Sequence, residues 1–104
     1  MDPRIRRVVN LIDQAPHDRH SLESMARTAH LSTSRFRHKF KSEVGATPIS
    51  YLQAARMRMA AELLKDEEVS IKEVRARIGL NSDSYFTHLF KRVYDQPPSR
   101  TKRD

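Results

Sequence analysis

The segment SDSYFTHLFK, residues 82–91, repeats an earlier segment, STSRFRHKFK, which occupies residues 32–41. Both begin with serine and end in the pattern Phe-x-His-x-Phe-Lys. Phenylalanines four residues apart lie on one side of an α-helix, and the polar residues between them lie on the other side. Each segment therefore predicts a helix with an apolar inner face and a polar outer face.

The repeat extends beyond these two segments in both directions. At offsets of 49 and then 50 residues the matched pairs are Ser21 with Ser70, Leu31 with Leu80, Lys41 with Lys91, and Pro48 with Pro98. The extra residue of the second copy falls in the turn before its helix, where a loop tolerates insertion. Two copies favour a duplicated helical module over a solenoid, which needs three or more repeats.

Helix start and stop signals divide the chain further. Ser21, Ser32 and Ser70 are placed to cap helices, and Glu73 completes a Ser-x-x-Glu capping box. Gly45 is placed to end a helix in a left-handed conformation. The predicted helices cover residues 2–15, 22–29, 33–44, 48–65, 71–78 and 81 or 82 to 93, with a short last turn. The residues predicted to be packed in the longest helix are Ile49, Leu52, Ala55, Met59, Leu63 and Leu64.

We predict an all-α fold in which two helix-turn-helix subdomains, residues 1–46 and 66–104, are joined by a long linker helix, residues 47–65. A chain of 104 residues suits small helical units rather than a large enzyme. The sequence contains no set of nucleophile, base and orienting residue and no glycine-rich phosphate loop. We therefore expect no catalysis and no cofactor.

Metal binding and membrane insertion are both disfavoured. The chain has no cysteine, which excludes disulfides and thiolate zinc sites, and His17-x-x-His20 lacks matching ligands, so we expect no metal. No apolar run approaches a membrane span, and the N-terminus lacks a signal-peptide core. We expect a soluble cytoplasmic protein that does not bind membranes.

The charge balance points to a polyanionic partner. Lysine and arginine number 20 against 13 acidic residues, which gives a formal net charge of +7. Such an excess favours nucleic acid first and an anionic membrane surface second, while a merely solvated surface is the plain alternative.

In a DNA-binding helix-turn-helix the second helix lies in the major groove. The third predicted helix turns Phe36 and Phe40 inward, and the sixth turns Phe86, Phe90 and Val93 inward. The outward polar residues are Thr33, Ser34, Arg37, His38 and Lys41 in the first copy, and Asp83, Ser84, Thr87, His88 and Lys91 in the second. These two faces are the predicted DNA-reading surfaces.

Side-chain chemistry suggests a role for individual positions. Arg37 is suited to guanine, the commonest specific contact of arginine. Asp83 has two open interpretations, accepting from a cytosine amine or capping its helix. Lys41, Lys91 and Arg92 are predicted phosphate contacts, with plain solvated charge as the alternative.

The length of the linker helix bears on how two units would read DNA. About eighteen residues at ~1.5 Å each give roughly 27 Å, and one turn of B-DNA is ~34–36 Å. Two recognition helices at the ends of such a helix could enter neighbouring major grooves, with the widths of the units or DNA bending covering the difference.

Two stretches resemble the AraC/XylS family of transcription regulators: ATPISYLQAARMRMAAELL, residues 46–64, and IGLNSDSYFTHLFKRVYDQPP, residues 78–98. The resemblance covers nearly the whole chain. It implies a seven-helix domain that reads a bipartite DNA site. It places the family's base-contacting positions on Ser34, Arg37 and His38, with Thr33 nearby, and on Asp83, Ser84, Thr87 and His88.

The chain also departs from the family pattern. His38 and His88 stand where arginine is frequent, Asp95-Gln96 replaces a Gly-x pair, and Val74-Arg75 replaces an Ile-Ala pair. The family's sensor domain is absent from the sequence, so the chain is similar either to the short stand-alone members or to the C-terminal domain of a larger regulator.

The predicted function is sequence-specific binding of double-stranded DNA by a transcription regulator. The resemblance implies an activator that acts with RNA polymerase, and we expect this domain to be a monomer associated with the nucleoid. The alternative is a helical protein-interaction module, for instance one that docks on RNA polymerase, with only electrostatic affinity for DNA. A duplicated polar face framed by phenylalanine favours the first interpretation.

Overall fold

The computed structural model describes residues 1–102, and every regular element in that range is an α-helix. The helices are α1 (Pro3–Gln14), α2 (Leu22–Thr28), α3 (Thr33–Val44), α4 (Pro48–Leu63), α5 (Ile71–Arg77), α6 (Asp83–Tyr94) and α7 (Pro98–Lys102). The all-α prediction and the seven helices implied by the family resemblance are confirmed. Arg103 and Asp104, which end the predicted C-terminal subdomain, lie outside the described residues.

Serine side chains begin the helices of both copies, as the sequence predicts. The hydroxyl of Ser32 accepts from the amide of Arg35 at 3.2 Å. Ser70 and Glu73 exchange two hydrogen bonds, of 3.1 and 3.2 Å, and so form the predicted capping box. The hydroxyl of Ser82 accepts from the amide of Tyr85 at 3.1 Å. Ser82, rather than its neighbour Asn81, is therefore the cap of α6.

The chain forms two compact units, residues 1–53 and residues from 54 onward, and α4 contributes residues to each. The sequence-based division at 46/47 and 65/66 remains a prediction. The buried apolar residues of the first unit are Ile5, Val8, Ile12, Met25, Ala26, Ala29, Phe36, Phe40 and Leu52. The Phe36 and Phe40 rings lie 5.6 Å apart between centroids, and Tyr51 meets Phe40 edge-on at 5.8 Å.

The second unit repeats this arrangement around its own phenylalanine pair. Its core consists of Met57, Ala60, Leu64, Val69, Val74, Ile78, Leu80, Phe86 and Phe90. The Phe86 and Phe90 rings are 5.9 Å apart between centroids, and Tyr94 packs on Phe90 at 4.7 Å. The four phenylalanines predicted to face inward are therefore confirmed as core residues.

Two apolar positions predicted to be packed are exposed instead. Val93 is 52% exposed, because Tyr94, four residues after Phe90, takes the inward position at the end of α6. Ile49 is 42% exposed, because the buried stripe at the start of α4 runs through Pro48 and Leu52. Both errors occur near a helix end, where an apolar residue three positions and one four positions from a buried neighbour fit the helical repeat equally well.

The turns between the paired helices differ by one residue, as the repeat predicts. The turn before α3 covers residues 29–32 and the turn before α6 covers residues 78–82. Each has one residue in the left-handed region, His30 with φ 57° and Gly79 with φ 89°. The amide of Leu31 donates to the carbonyl of Ala26, and that of Leu80 to the carbonyl of Arg75.

Arg56 of α4 lies in the family-like stretch of residues 46–64 and is buried, at 8% exposure. Burial lowers the pKa of its guanidinium, and the nearby Tyr85 opposes that shift. Because it is enclosed in the second unit, Arg56 does not belong to the exposed cations that could meet a polyanion.

Helices α3 and α6 end in left-handed residues at equivalent positions. Gly45 has φ 92° and Asp95 has φ 63°, and their amides donate to the carbonyls of Lys41 and Lys91 at 2.9 and 2.8 Å. A Cβ at Gly45 would meet no atom within 4 Å. The glycine is therefore required by its backbone conformation and not by space.

Substitutions at these two caps should change stability in opposite directions. We expect Gly45→Ala to lower the free energy of unfolding by about 1 kcal/mol, since an L-residue is strained at positive φ. Asp95→Gly should raise it, because glycine has no Cβ strain at positive φ. The gain should be no more than about 1 kcal/mol, since Asp tolerates this region and glycine adds entropy to the unfolded chain. Urea unfolding measures both. The control is Gly45→Asn, which should lose less than Gly45→Ala, and equal losses would contradict the explanation.

Candidate nucleic-acid interface

The outer face of α3 carries the first set of predicted site residues. Burial of Phe36 and Phe40, both 0% exposed, sets the rotation of the helix. The residues that this rotation turns outward, all exposed, are Thr33, Ser34, Arg37, His38 and Lys41. The structure therefore brings the whole first set together on one accessible helix face.

Two shallow grooves flank a ridge on this face. One, here called the Arg37 groove, has a volume of about 580 Å³ and is lined by Ser34, Arg37, His38, Lys41, Ser42 and Thr47. The other, the Arg35 groove, has a volume of about 600 Å³ and is lined by Arg4, Leu31, Ser34, Arg35, His38, Lys39, Ser42 and Glu43. Ser34, His38 and Ser42 line both, so they form the ridge.

Sequence reasoning missed Ser42 as part of this face. It is exposed and lies four residues beyond His38, which itself lies four residues beyond Ser34. This spacing, carried one step further along α3, would have identified it. Arg35 was missed as well, because it stands on the edge of the face, beside the second groove.

The two grooves differ in charge. Arg37 and Lys41 line the Arg37 groove, and no acidic residue is among its lining. The Arg35 groove contains three cations, but Glu43 also lines it. Because Lys39 pairs with Glu43 and Arg4 with Asp2, the Arg37 groove is the more attractive side of α3 for a phosphate backbone.

An ion-pair network joins the start of α1 to α3 beside the Arg35 groove. The amide of Asp2 donates to Oε1 of Glu43 at 2.7 Å, and Lys39 lies 3.1 Å from Oε2 of Glu43. Arg4 bonds the carboxylate of Asp2 at 2.9 Å through its side chain and at 2.8 Å through its amide. These bonds from Arg4 hold the pKa of Asp2 well below its usual range. The bond from the Asp2 amide lowers the pKa of Glu43 as well.

The outer face of α6 carries the second set. Phe86 and Phe90, each 1% exposed, point inward. The predicted residues Asp83, Ser84, Thr87, His88, Lys91 and Arg92 are all exposed on this helix. The second unit thus presents its polar residues as the first does, with one carboxylate among them.

Asp83 does not cap its helix, so that interpretation is wrong. Ser82 is the cap, while Oδ1 of Asp83 lies 2.6 Å from Nε of Arg75 on α5. The side chain of Arg75 is only 15% exposed, against 73% for Asp83. Asp83 therefore forms an ion pair within its own unit, and this contact is not a hydrogen bond of the Arg75 Nε.

The loop histidines make local contacts. His20 Nε2 lies 2.7 Å from the carbonyl oxygen of Ala15, and His17 Nε2 lies 3.4 Å from Asp18. Within residues 1–102, no three potential metal ligands come together, and none of the helices there combines the length and apolarity needed to cross a bilayer.

Two pairs of helices, in each of which the second helix presents a polar outer face over a buried phenylalanine pair, have the arrangement of a DNA-binding helix-turn-helix domain. A family model described as a helix-turn-helix domain matches residues 25–104. The chain belongs to the AraC-type helix-turn-helix family of transcription regulators.

Known regulators are similar to this chain in sequence and in structure. The transcriptional regulator AlkR of Acinetobacter baylyi is 32% identical over 103 residues, which are 99% of this chain and 34% of AlkR. The C-terminal domain of AraT, a response regulator from Geobacillus stearothermophilus, superposes with a TM-score of 0.89 at 31% identity, covering 98% of this chain and 85% of that domain.

The DNA-binding domain of AdpA, solved in complex with a target DNA, superposes with a TM-score of 0.90 at 27% identity. The superposition covers 99% of this chain and 92% of the AdpA chain. The chain spans about a third of the length of the curated relatives it matches.

The low pKa of Asp2 predicts a pH-dependent contribution to stability. Asp2→Asn keeps a capping side chain but removes the charge. Since the folded-state pKa lies below the ordinary value of 3.8, the carboxylate stabilises the fold above about pH 4, and this contribution disappears as the pH falls through the folded-state pKa. We expect a lower urea midpoint for the variant at pH 6 and a difference from wild type that narrows as the pH falls from about 4 toward 2. A difference that stays constant over this range would contradict the role of the charge.

Proposed function

We propose that this domain binds double-stranded DNA sequence-specifically, with α3 and α6 in neighbouring major grooves. The observation that supports it is the duplicated exposed polar face over a buried phenylalanine pair. On this proposal the domain acts as a monomer at the nucleoid in the bacterial cytoplasm and activates transcription together with RNA polymerase. Activation of transcription and the contact with RNA polymerase rest on the family resemblance.

The first unit supplies the stronger base-reading chemistry. Arg37 is exposed on α3 and lines the groove that has no acidic residue, so its guanidinium is available for two hydrogen bonds to guanine. Ser34 and His38, on the ridge between the grooves, can donate or accept at base edges. Thr33 and Ser34 stand in the first turn of α3, where groove-reading residues concentrate.

The second unit reads through shorter and less cationic groups. Ser84, Thr87 and His88 are exposed on α6 and can donate or accept at base edges. None of them can form the paired hydrogen bonds that arginine makes with guanine. The second half of the DNA site is therefore read more weakly than the first.

Phosphate contacts supply most of the affinity. Lys41, Lys91 and Arg92 are exposed near the ends of α3 and α6, and Arg35 adds a cation at the edge of the first face. Each contact with phosphate releases counterions, so affinity falls with salt by about 0.9 log units per log unit of salt for each phosphate neutralised.

The continuous helix α4 is consistent with a bipartite site read by one chain. Its sixteen residues correspond to about 24 Å at ~1.5 Å per residue. That is shorter than one turn of B-DNA, ~34–36 Å, so the width of the units and bending of the DNA would supply the rest. A single chain with two different faces would prefer an asymmetric site.

Two neighbouring cations of α3 should separate specificity from affinity. We expect Arg37→Ala to lose about 1–3 kcal/mol of preference at one base pair. We expect Lys41→Ala to weaken binding to all sequences alike and to reduce the salt slope by about one. Binding-site selection followed by salt titration in gel shifts measures both effects.

Lys65→Ala is the matched control for the loss of one charge, since Lys65 pairs with Glu62 at 2.6 Å near the end of α4. Lys65→Ala should leave the base preference of DNA binding unchanged. Specific regulation would be refuted if selection enriched no motif and Arg37→Ala bound like wild type, a result that would favour the protein-interaction alternative.

The unequal chemistry of the two faces predicts an unequal DNA motif. Selected sites should contain two half-motifs about one helical turn apart, of which the half read by α3 carries more information. Thr87→Ala should relax the weaker half by less than Arg37→Ala relaxes the stronger half. A motif of only half this length would show that the second unit binds the backbone without reading bases.

A further inference from the structure

Arg75 and Asp83 form a contact that the first unit cannot form. Nε of Arg75 lies 2.6 Å from Oδ1 of Asp83, and Nη1 of Arg75 donates to the carbonyl oxygen of Leu80 at 2.7 Å. The equivalent positions in the first unit are Ala26 and Thr33. Because alanine and threonine carry no charge, this ion pair is a property of the second unit alone.

These contacts cross the longer of the two turns. The turn at residues 78–82 has one residue more than the turn at residues 29–32, and a longer connection has more conformational freedom to lose on folding. Arg75 is on α5, Leu80 is in the turn, and Asp83 is the first residue of α6. One guanidinium therefore bridges all three parts of the second helix-turn-helix.

The pairing also limits what Asp83 can do at DNA. The side chain of Arg75 is only 15% exposed, so turning the carboxylate toward a base would leave an almost enclosed cation without its partner, which is costly. A carboxylate without a cation beside it would in turn repel the phosphate backbone. Both effects favour keeping the pair intact on DNA.

We propose that Arg75 and Asp83 form a brace that positions α6 on α5 and withdraws Asp83 from base reading. Asp83 is then a positioning residue, and Ser84, Thr87 and His88 carry the sequence preference of the second unit. This inference rests on the proposed function for the part that concerns DNA, while the brace itself is independent of it.

A double-mutant cycle in urea tests the brace. We expect Arg75→Ala and Asp83→Ala each to lower the unfolding midpoint, and the double variant to lower it by less than the sum of the two. Arg77→Ala is the matched control on the same helix, because Arg77 is 52% exposed and lies 3.8 Å from Glu73, and it should change the midpoint little. Additive effects of the two brace variants would overturn the proposal.

DNA binding by the folded variants tests the role of Asp83. Affinities are measured for the selected site and for each of its single-base variants. We expect Asp83→Ala to keep the order of preference at every position. Arg75→Ala should weaken all sequences about equally, since it leaves the carboxylate unpaired, and adding Asp83→Ala should restore affinity to within about twofold. A packing role for Arg75 would show no such rescue.

One result would overturn the withdrawal of Asp83 from base reading. If Asp83→Ala relaxed the preference at a single base pair by tenfold or more and left the others unchanged, Asp83 would be a base contact after all.

Thr87→Ala and His88→Ala separate this failure from that of the proposed function. If neither they nor Asp83→Ala changed any preference, α6 would not read bases and the bipartite proposal would fail. The urea cycle would then still decide whether the brace exists.

Discussion

The burial of two phenylalanines four residues apart is the constraint on which each half of this protein depends. Phe36 and Phe40 are fully buried in one unit, and Phe86 and Phe90 nearly so in the other. Burying one such side chain stabilises a fold by about 1.5–3 kcal/mol, a large part of a typical net stability of ~5–15 kcal/mol. A rotation of either helix would expose these rings, so the rotation is set and the intervening polar residues must face outward.

Because the scaffold is shared, the two copies are free to differ in the residues that face outward. The first copy presents Arg37 and Lys41 beside a groove whose lining has no acidic residue. The second presents Asp83 among its polar residues, and an arginine on the preceding helix holds that carboxylate. The duplicated fold therefore has two outer surfaces of different electrostatic character.

Local signals predicted the helices well and the ends of their apolar faces less well. The bounds of α3 followed from the Ser32 cap and Gly45, because a serine hydroxyl and a left-handed glycine act within one turn of the residues that they terminate. Val93 and Ile49 were assigned to the core and are exposed. Near a helix end, a repeat of 3.6 residues does not distinguish the third from the fourth position, and a neighbouring side chain decides which one is buried.

The sequence by itself determined the helical class, the duplication, the caps and the two polar faces, because all of these depend on residues within a turn or two of one another or on comparison of the two copies. Only the tertiary structure decided that Asp83 pairs with Arg75 and that the amide of Asp2 bonds Glu43, 41 residues away. Periodicity describes which side of a helix is apolar, but it contains no information about which polar side chain on another helix comes within bonding distance. That distance is set by how the helices of each unit pack.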